Sequence, residues 1–457
     1  MTELADPPRP APSPAPQSLD SPAAEPALRP RFLADIYEDA SRCNKCSLCQ
    51  AVCPTYVVNP VEWETARGRV SLVRDAIEGR LELRDIADGP LSTCLACNNC
   101  MAACAPGVPT AEIVTRARQE LQAQEGHPFG QSVALRGILP HPIMLRLVHG
   151  LGRAAEVTGV LPLARRGGLT RWMGLAGAFA EHLGPLPART AYRRAKGLPG
   201  PPAPARGRLG FVMCCYQNVA APEATEATLR VLAANGYEIV VPTLGCTGLP
   251  AKSLGDRDAM LEMARKTVAV LREHRVDALV GDVASCTMHV RDFGRLLDDD
   301  QYFSADARRL SQSLRLASDL LADAGLLAPL GRLRLTVAID EPCALAHGSA
   351  ERSAPHRLLS QVPGLRLVPL EEAAMCCGGA GAYFHSQPER STAILSRKFE
   401  HVVASGAEAL VTENISCLNQ LREGARRHAP HVRVLHVFEV LQASIEGAQR
   451  RLAARER

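Results

Sequence analysis

Sixteen cysteines in 457 residues constrain this chain more than any other feature, because eight of them recur at one spacing. Cys43, Cys46, Cys49 and Cys53 are followed by Pro54. Cys94, Cys97, Cys100 and Cys104 are followed by Ala105 and Pro106. Both runs read C-x2-C-x2-C-x3-C. The N-terminus, with acids at Glu3 and Asp6 and a surplus of Pro, Ala and Ser, has no apolar stretch of the secretory kind. No uninterrupted apolar run reaches about 18 residues, the length that spans a bilayer. In a chain kept inside the cell a disulfide framework is disfavoured, and clustered thiols read as metal ligands. The expected location is therefore cytoplasmic, with peripheral contact on the inner face of the membrane as an option.

The spacing is that of the [4Fe–4S]-binding run of bacterial ferredoxins. Three thiolates separated by two residues wrap three corners of a cube. The fourth, at the start of the next segment, points to the other cube. The expected assignment is crossed: Cys43, Cys46, Cys49 and Cys104 on one cluster, Cys94, Cys97, Cys100 and Cys53 on the second. Zinc would need only four ligands, usually as two pairs separated by a loop. Two runs of four exceed that need.

The intervening segments read as helices. Residues 62–78 carry Val70, Val73 and Ile77 on one face and stop at Gly79; Thr110 to Glu125 follows Pro109 and stops at Gly126. Residues 31–126 thus form a helical ferredoxin domain. Arg67 and Arg69 lie near the clusters in sequence. The simpler reading is a solvated helix face; the functional one is charge that stabilises reduced clusters or docks an acidic partner.

Residues 1–30 are expected to be a disordered Pro/Ala-rich tail, since they hold little apolar surface to offset ordering entropy. Residues 127–206 are a helical connector mixing apolar stretches with Arg165, Arg166, Arg171, Arg193 and Arg194, and closing on a Pro/Gly-rich boundary. Its helices either pack over the other domains or present an amphipathic surface to a membrane or partner. The chain holds 52 basic and 48 acidic residues, a net charge of +4 that reads as spread along its length, and aromatics make up 4%. Neither a concentrated basic face nor a stacking platform supports nucleic-acid binding.

The other cysteines follow an internal repeat. An apolar run, Leu209–Met213, leads into Cys214 and Cys215; the strand at 237–242 leads to Cys246, Thr247 and Gly248; the strand at 277–281 leads to Cys286. In the second half, the strand at 333–339 leads to Cys343, that at 365–369 to Cys376, Cys377 and Gly378, and that at 408–412 to Cys417. Steps of 31 and 40 residues are followed by steps of 33 and 41. Strands alternating with helices predict a parallel α/β sheet in each half, 207–330 and 331–457. Ligands bind beyond the carboxyl ends of such strands, so each half should gather its cysteines at one site. The fold class is α+β multidomain: a helical ferredoxin domain, then two α/β parallel-sheet cysteine-rich repeats.

These motifs, with Arg67-Gly68-Arg69 between the runs and the double cysteine in MCCGGAGAY, resemble the iron–sulfur subunit family of glycolate oxidase (glycolate dehydrogenase). The resemblance covers residues 35 to 445. The same modules occur in lactate-utilisation proteins, in the C subunit of anaerobic glycerol-3-phosphate dehydrogenase and in heterodisulfide reductases. The resemblance implies an oxidoreductase subunit that transfers electrons. A separate FAD-containing chain oxidises the 2-hydroxy acid, and this one passes electrons to a quinone or another acceptor. No phosphate loop or dinucleotide turn contradicts that division. The first repeat departs from the family pattern at Thr247. Neither repeat ends in C-x-x-C, since His289 and Gln420 stand at the last position. The second repeat still offers Cys343, Cys376, Cys377 and Cys417 for a third cluster. The first offers Cys215, Cys246 and Cys286 as a degenerate site, with Cys214 or His289 as fourth ligand. The simpler reading of His289 and His347 is packing. Two alternatives remain: a heterodisulfide-reductase-like or glycerol-3-phosphate-linked subunit, and a zinc-stabilised scaffold.

Overall fold

A computed structural model describes residues 32–169, 186–198, 200–201, 205–347, 354–381 and 383–455. The tail at 1–30, Arg171 and part of the Pro/Gly-rich boundary lie outside the described residues.

In the N-terminal region Thr65 accepts a hydrogen bond from the Gly68 amide (3.0 Å) and caps the helix Ala66–Ile77. The helix therefore begins four residues later than the apolar pattern suggests, after a short turn at Glu62–Glu64. The helix Thr110–Glu125 has the expected bounds and ends at Gly126, whose φ is +77°. The two helices pack together over Val70, Val73, Leu91, Ile113, Val114 and Ala117. The cysteine loops lie at one end of this core, followed by the short helices Leu48–Val52, Pro54–Val58 and Asn99–Ala102.

The C-terminal region holds two four-stranded sheets, all strands parallel. The first contains β1 (Gly207–Phe211), β2 (Tyr237–Val240), β3 (Ala278–Gly281) and β4 (Leu314–Leu316), in the order β2-β1-β3-β4. The second contains β5 (Leu335–Ile339), β6 (Leu365–Leu367), β7 (Ala409–Thr412) and β8 (Arg433–His436), in the order β6-β5-β7-β8. The fourth strand of each sheet is absent from the sequence reading, since neither β4 nor β8 leads to a cysteine. The sheets share one buried cluster: Leu209, Phe211 and Val280 join Val337, Ile339 and Val411. The final helix, Val437–Arg455, crosses back to pack on Pro222–Ala234 of the first repeat. Every cysteine of the repeats lies beyond the carboxyl end of β1, β2, β3, β5, β6 or β7.

Candidate metal centres

The two ferredoxin-type loops repeat in backbone conformation as well as in sequence. Lys45 and Ser47 have φ of 59° and 74°; the matching Ala96 and Asn98 have 51° and 63°. These are four of the five non-glycine residues with positive φ among the described residues. Such conformations are costly for residues bearing a Cβ, and alternation with right-handed residues turns backbone N–H groups into an anion cradle. The Ala96 amide points at Cys94 Sγ (3.4 Å), and the Val108 amide at Cys104 Sγ (3.4 Å).

Cys94, Cys97 and Cys100 line one cavity together with Cys53 from the other run, in about 340 Å³ of empty space. This is the grouping that a crossed assignment calls for. Burial pushes the Cys100 thiol up to about 12, and Cys94, Cys53 and Cys49 add to the shift. Burial also raises Cys49, with Cys43 and Cys53 nearby. The two sets of thiols are therefore neighbours. Protonated thiols are what burial alone would leave here, and a bound cation would be needed to hold thiolates.

Arg69 is not on a solvated face. It is 2% exposed and forms part of the cavity wall. Its guanidinium donates to Pro90 O (2.7 Å), Thr93 Oγ1 (2.9 Å), Thr55 Oγ1 (3.1 Å) and Cys53 Sγ (3.8 Å). Burial works against its charge, but Cys94 and Cys53 outweigh it and hold the group protonated. Arg67 is more open; it bonds Glu62, Lys45 O and the Ser47 hydroxyl, bracing the first loop. Arg118, which sequence reasoning passed over, donates to Cys94 O (2.6 Å) from a partly buried position.

The second repeat meets this region directly. Cys97, Cys343 and Cys376 share a small buried cluster with Leu95, Tyr383 and Ile394. Burial and then Cys376 drive the Cys97 thiol well above its ordinary range. The seam is held by Arg390 with the buried Glu64 (Nε–Oε2 3.1 Å) and by Gln387 with Ser92 (3.4 Å). Within the repeat, Cys343, Cys376, Cys377 and Cys417 follow one another as interacting thiols. Asn414 Nδ2 donates to Cys417 Sγ (3.4 Å). Beneath them Lys398, fully buried, pairs with Asp340 at 2.8 Å. His347 bonds the Ala374 carbonyl, the packing role expected of it.

The first repeat also gathers four thiols. Cys246, Cys215, Cys214 and Cys286 are linked in that order, with Cys214 and Cys286 sulfurs 3.5 Å apart. Hydrogen bonds from Cys215 and Cys286 pull Cys214 well below its ordinary range, while the same bonds raise the two donors. Cys214 therefore joins the group in a place the sequence reading left open, and the repeat is not short of thiols despite Thr247. Gly248, at φ +105°, donates to Cys246 Sγ (3.5 Å); a Cβ there would meet Met260 O at 3.0 Å. His289 is buried and neutral, its pKa pushed down to about 3 by burial, and it packs edge-on to Phe293. Below the thiols Asp282 accepts from Gln217 (2.6 Å) and Thr228 (3.2 Å), and burial followed by Cys214 lifts it to about 7.

The two repeats touch at their sites. Asn414 Oδ1 accepts from the Ser285 amide and hydroxyl (3.1 and 2.7 Å), and Asn419 donates to Tyr216 (2.9 Å). Cys214, Cys286, Cys377 and Cys417 belong to one buried cluster. Among the described residues no three His, Cys, Asp or Glu side chains close in as round a single ion. Partly buried thiols spaced round a cavity, with left-handed loops and amide donors, fit an inorganic cluster.

Comparison with known proteins agrees. The family model for a 4Fe-4S dicluster domain matches residues 39–108, and that for a cysteine-rich domain matches 209–291 and 337–422. A probable glycolate oxidase iron-sulfur subunit of Bacillus subtilis (strain 168) is 27% identical over 423 residues, covering 87% of this chain and 92% of that protein. The glycolate oxidase iron-sulfur subunit of Escherichia coli (strain K12) is 26% identical over 415 residues, 88% and 94% of the two chains. A lactate utilization protein A of Exiguobacterium is 25% identical over 242 residues, 52% of this chain and 99% of that protein.

Proposed function

We propose that this chain, which joins a 4Fe-4S dicluster domain to two cysteine-rich domains and is similar to glycolate oxidase iron-sulfur subunits, is the electron-transfer subunit of a flavin-linked 2-hydroxy-acid dehydrogenase. A partner flavoprotein removes the hydride from substrate; this chain carries single electrons onward to a quinone or similar acceptor. The observation that carries the reading is a succession of neighbouring cysteines, buried or partly buried in all but Cys46. It passes from the two ferredoxin loops through the Cys97–Cys376 seam into the second repeat, and through Asn414 and Ser285 to the first.

Cys43, Cys46, Cys49 and Cys104 would hold one cluster, and Cys94, Cys97, Cys100 and Cys53 the other. Bound there, [4Fe–4S] clusters supply one-electron carriers whose potentials follow burial, charge and hydrogen bonds to sulfur. Cys343, Cys376, Cys377 and Cys417 would hold a third cluster, and Cys214, Cys215, Cys246 and Cys286 form a similar set in the first repeat. Arg69 places a fixed positive charge beside Cys53 and Cys94, which favours the more negative, reduced state. Leu95, Tyr383 and Ile394 exclude water from the seam between regions.

The test is co-purification with a flavin-containing chain under anaerobic conditions, then addition of glycolate, lactate or glycerol 3-phosphate. Bleaching of the visible iron–sulfur absorbance by one of these, dependent on the flavoprotein, is expected. Bleaching by none of them in an intact complex would overturn the assignment.

A further inference from the structure

The net charge of +4 conceals a segregation. Residues 127–206 hold eleven Lys and Arg against two acids, Glu156 and Glu181. The rest of the chain holds 41 Lys and Arg against 46 Asp and Glu. The expectation of an evenly spread charge is thus incorrect, and the positive excess sits on one segment.

That segment is anchored to the first repeat. The Cys246 amide donates to Leu139 O (2.8 Å), Tyr192 OH bonds Pro242 O (3.1 Å), and Leu244 N donates to Tyr192 OH (2.9 Å). Its longest described helix, Pro142–Val157, nevertheless buries no residue fully. Ile143, Leu147 and Leu151, at intervals of four, are 71%, 53% and 64% exposed; Met144 and Val148 extend the same face. Val160 and Leu163 are exposed on the neighbouring helix Val160–Arg166, and Arg165 and Arg166 end it. On the opposite side of the long helix, Arg146, His149 and Arg153 line an open cleft of about 890 Å³ with Tyr192, Arg193 and Lys196. Among the described lining residues there is no acid.

We infer that the helix Pro142–Val157 is an interfacial anchor, laid in the plane of an anionic phospholipid bilayer with Ile143, Leu147 and Leu151 at the acyl boundary. A helix with one apolar face, one basic face and no capacity to span is the form that binds such a surface. Arg136 and Arg194 pair with Asp256 and Glu226 of the first repeat, and the rest of the positive surplus supplies long-range attraction to acidic headgroups. A protein partner is less well matched: the apolar face is convex, and interface cores are poor in unpaired charge. The anchor would bring the first repeat to the membrane, with Tyr192 lying between the basic cleft and Cys214 and Cys215. The inference concerns attachment and stands apart from which substrate feeds the relay.

The test is flotation of the full-length, iron-loaded chain with phosphatidylcholine vesicles, with and without phosphatidylglycerol. Binding is expected only with phosphatidylglycerol, and high salt should weaken it. Leu147→Glu with Leu151→Glu should lower partitioning at least about tenfold, while iron content and visible spectrum stay unchanged. Arg146→Gln with Arg166→Gln should weaken it less. Absence of binding, equal binding to both vesicle types, or binding indifferent to the leucine changes would each overturn the inference. A leucine variant that keeps vesicle binding but loses the flavoprotein would assign this face to a protein instead.

Discussion

The two cysteine-rich repeats share a strand order and a row of four buried or partly buried thiols, but differ in what lies under and beside them. In the second, Asp340 at the end of β5 is neutralised by the buried Lys398. In the first, Asp282 at the end of β3 has only neutral hydrogen-bond donors and sits near a pKa of 7. The second repeat abuts the ferredoxin loops through Cys376 and Cys97, and the first abuts the basic connector. The difference teaches a direction: duplication supplied two similar thiol sites, and docking made one the inner neighbour of the ferredoxin clusters and the other the outer.

The largest effect should come from the seam. Cys376→Ser is expected to abolish electron flow to a distal acceptor, while Cys246→Ser leaves reduction of the ferredoxin clusters intact. Freeze-quench electron paramagnetic resonance with the flavoprotein, beside acceptor reduction, reads both; undiminished flow in Cys376→Ser, or lost ferredoxin reduction in Cys246→Ser, would erase the inner–outer distinction. Next, Lys398→Met leaves Asp340 buried without its partner. It should cost about 3–5 kcal/mol of stability, whereas Asp282→Asn should change it by no more than about 1 kcal/mol. Anaerobic denaturant titration checks the contrast. Arg69→Gln removes a charge beside the ferredoxin-type clusters and should lower their potential by on the order of 100 mV, leaving the first repeat's site unmoved, as redox titration would show.

The smallest effect is in pH. Burial holds His289 near 3 and His436 near 4, both below the ordinary 6.5, so the unfolded chain takes up two protons that the fold refuses. Asp282, raised to about 7, has the opposite sign and gives the fold one proton that the unfolded chain lacks. Between about pH 6.5 and 4 the unfolded state therefore binds a net one proton more, and stability should fall on acidification by about 1.4 kcal/mol per pH unit. His436, at the end of β8, bonds the Asp282 carbonyl across the two repeats. His436→Gln should flatten the slope to near zero; an unchanged slope would place the acid sensitivity elsewhere.

Much of this architecture was legible because cysteine spacing encodes geometry directly. Cys53 joining the second run, the helix Thr110–Glu125 and the six cysteine-bearing strand ends all follow from local pattern. What stayed hidden depends on contacts between distant segments. Arg69 reads as an exposed helical residue until Pro90, Thr93 and Cys53 close round it. Lys398 has no sequence mark that sets it apart from a surface lysine, and its partner lies 58 positions away. Cys214 was ambiguous because two adjacent cysteines at a strand end cannot both be assigned by alternation. Length does not set β4 and β8 apart, since β6 has three residues and β7 four; they stayed hidden because neither leads to a cysteine, the mark that located the other six strands.

The most direct test is iron and acid-labile sulfide analysis of the full chain prepared without oxygen. Two ferredoxin-type clusters require at least about eight of each per chain, with further iron if the repeats are filled. Stoichiometric zinc with neither iron nor sulfide would contradict the account.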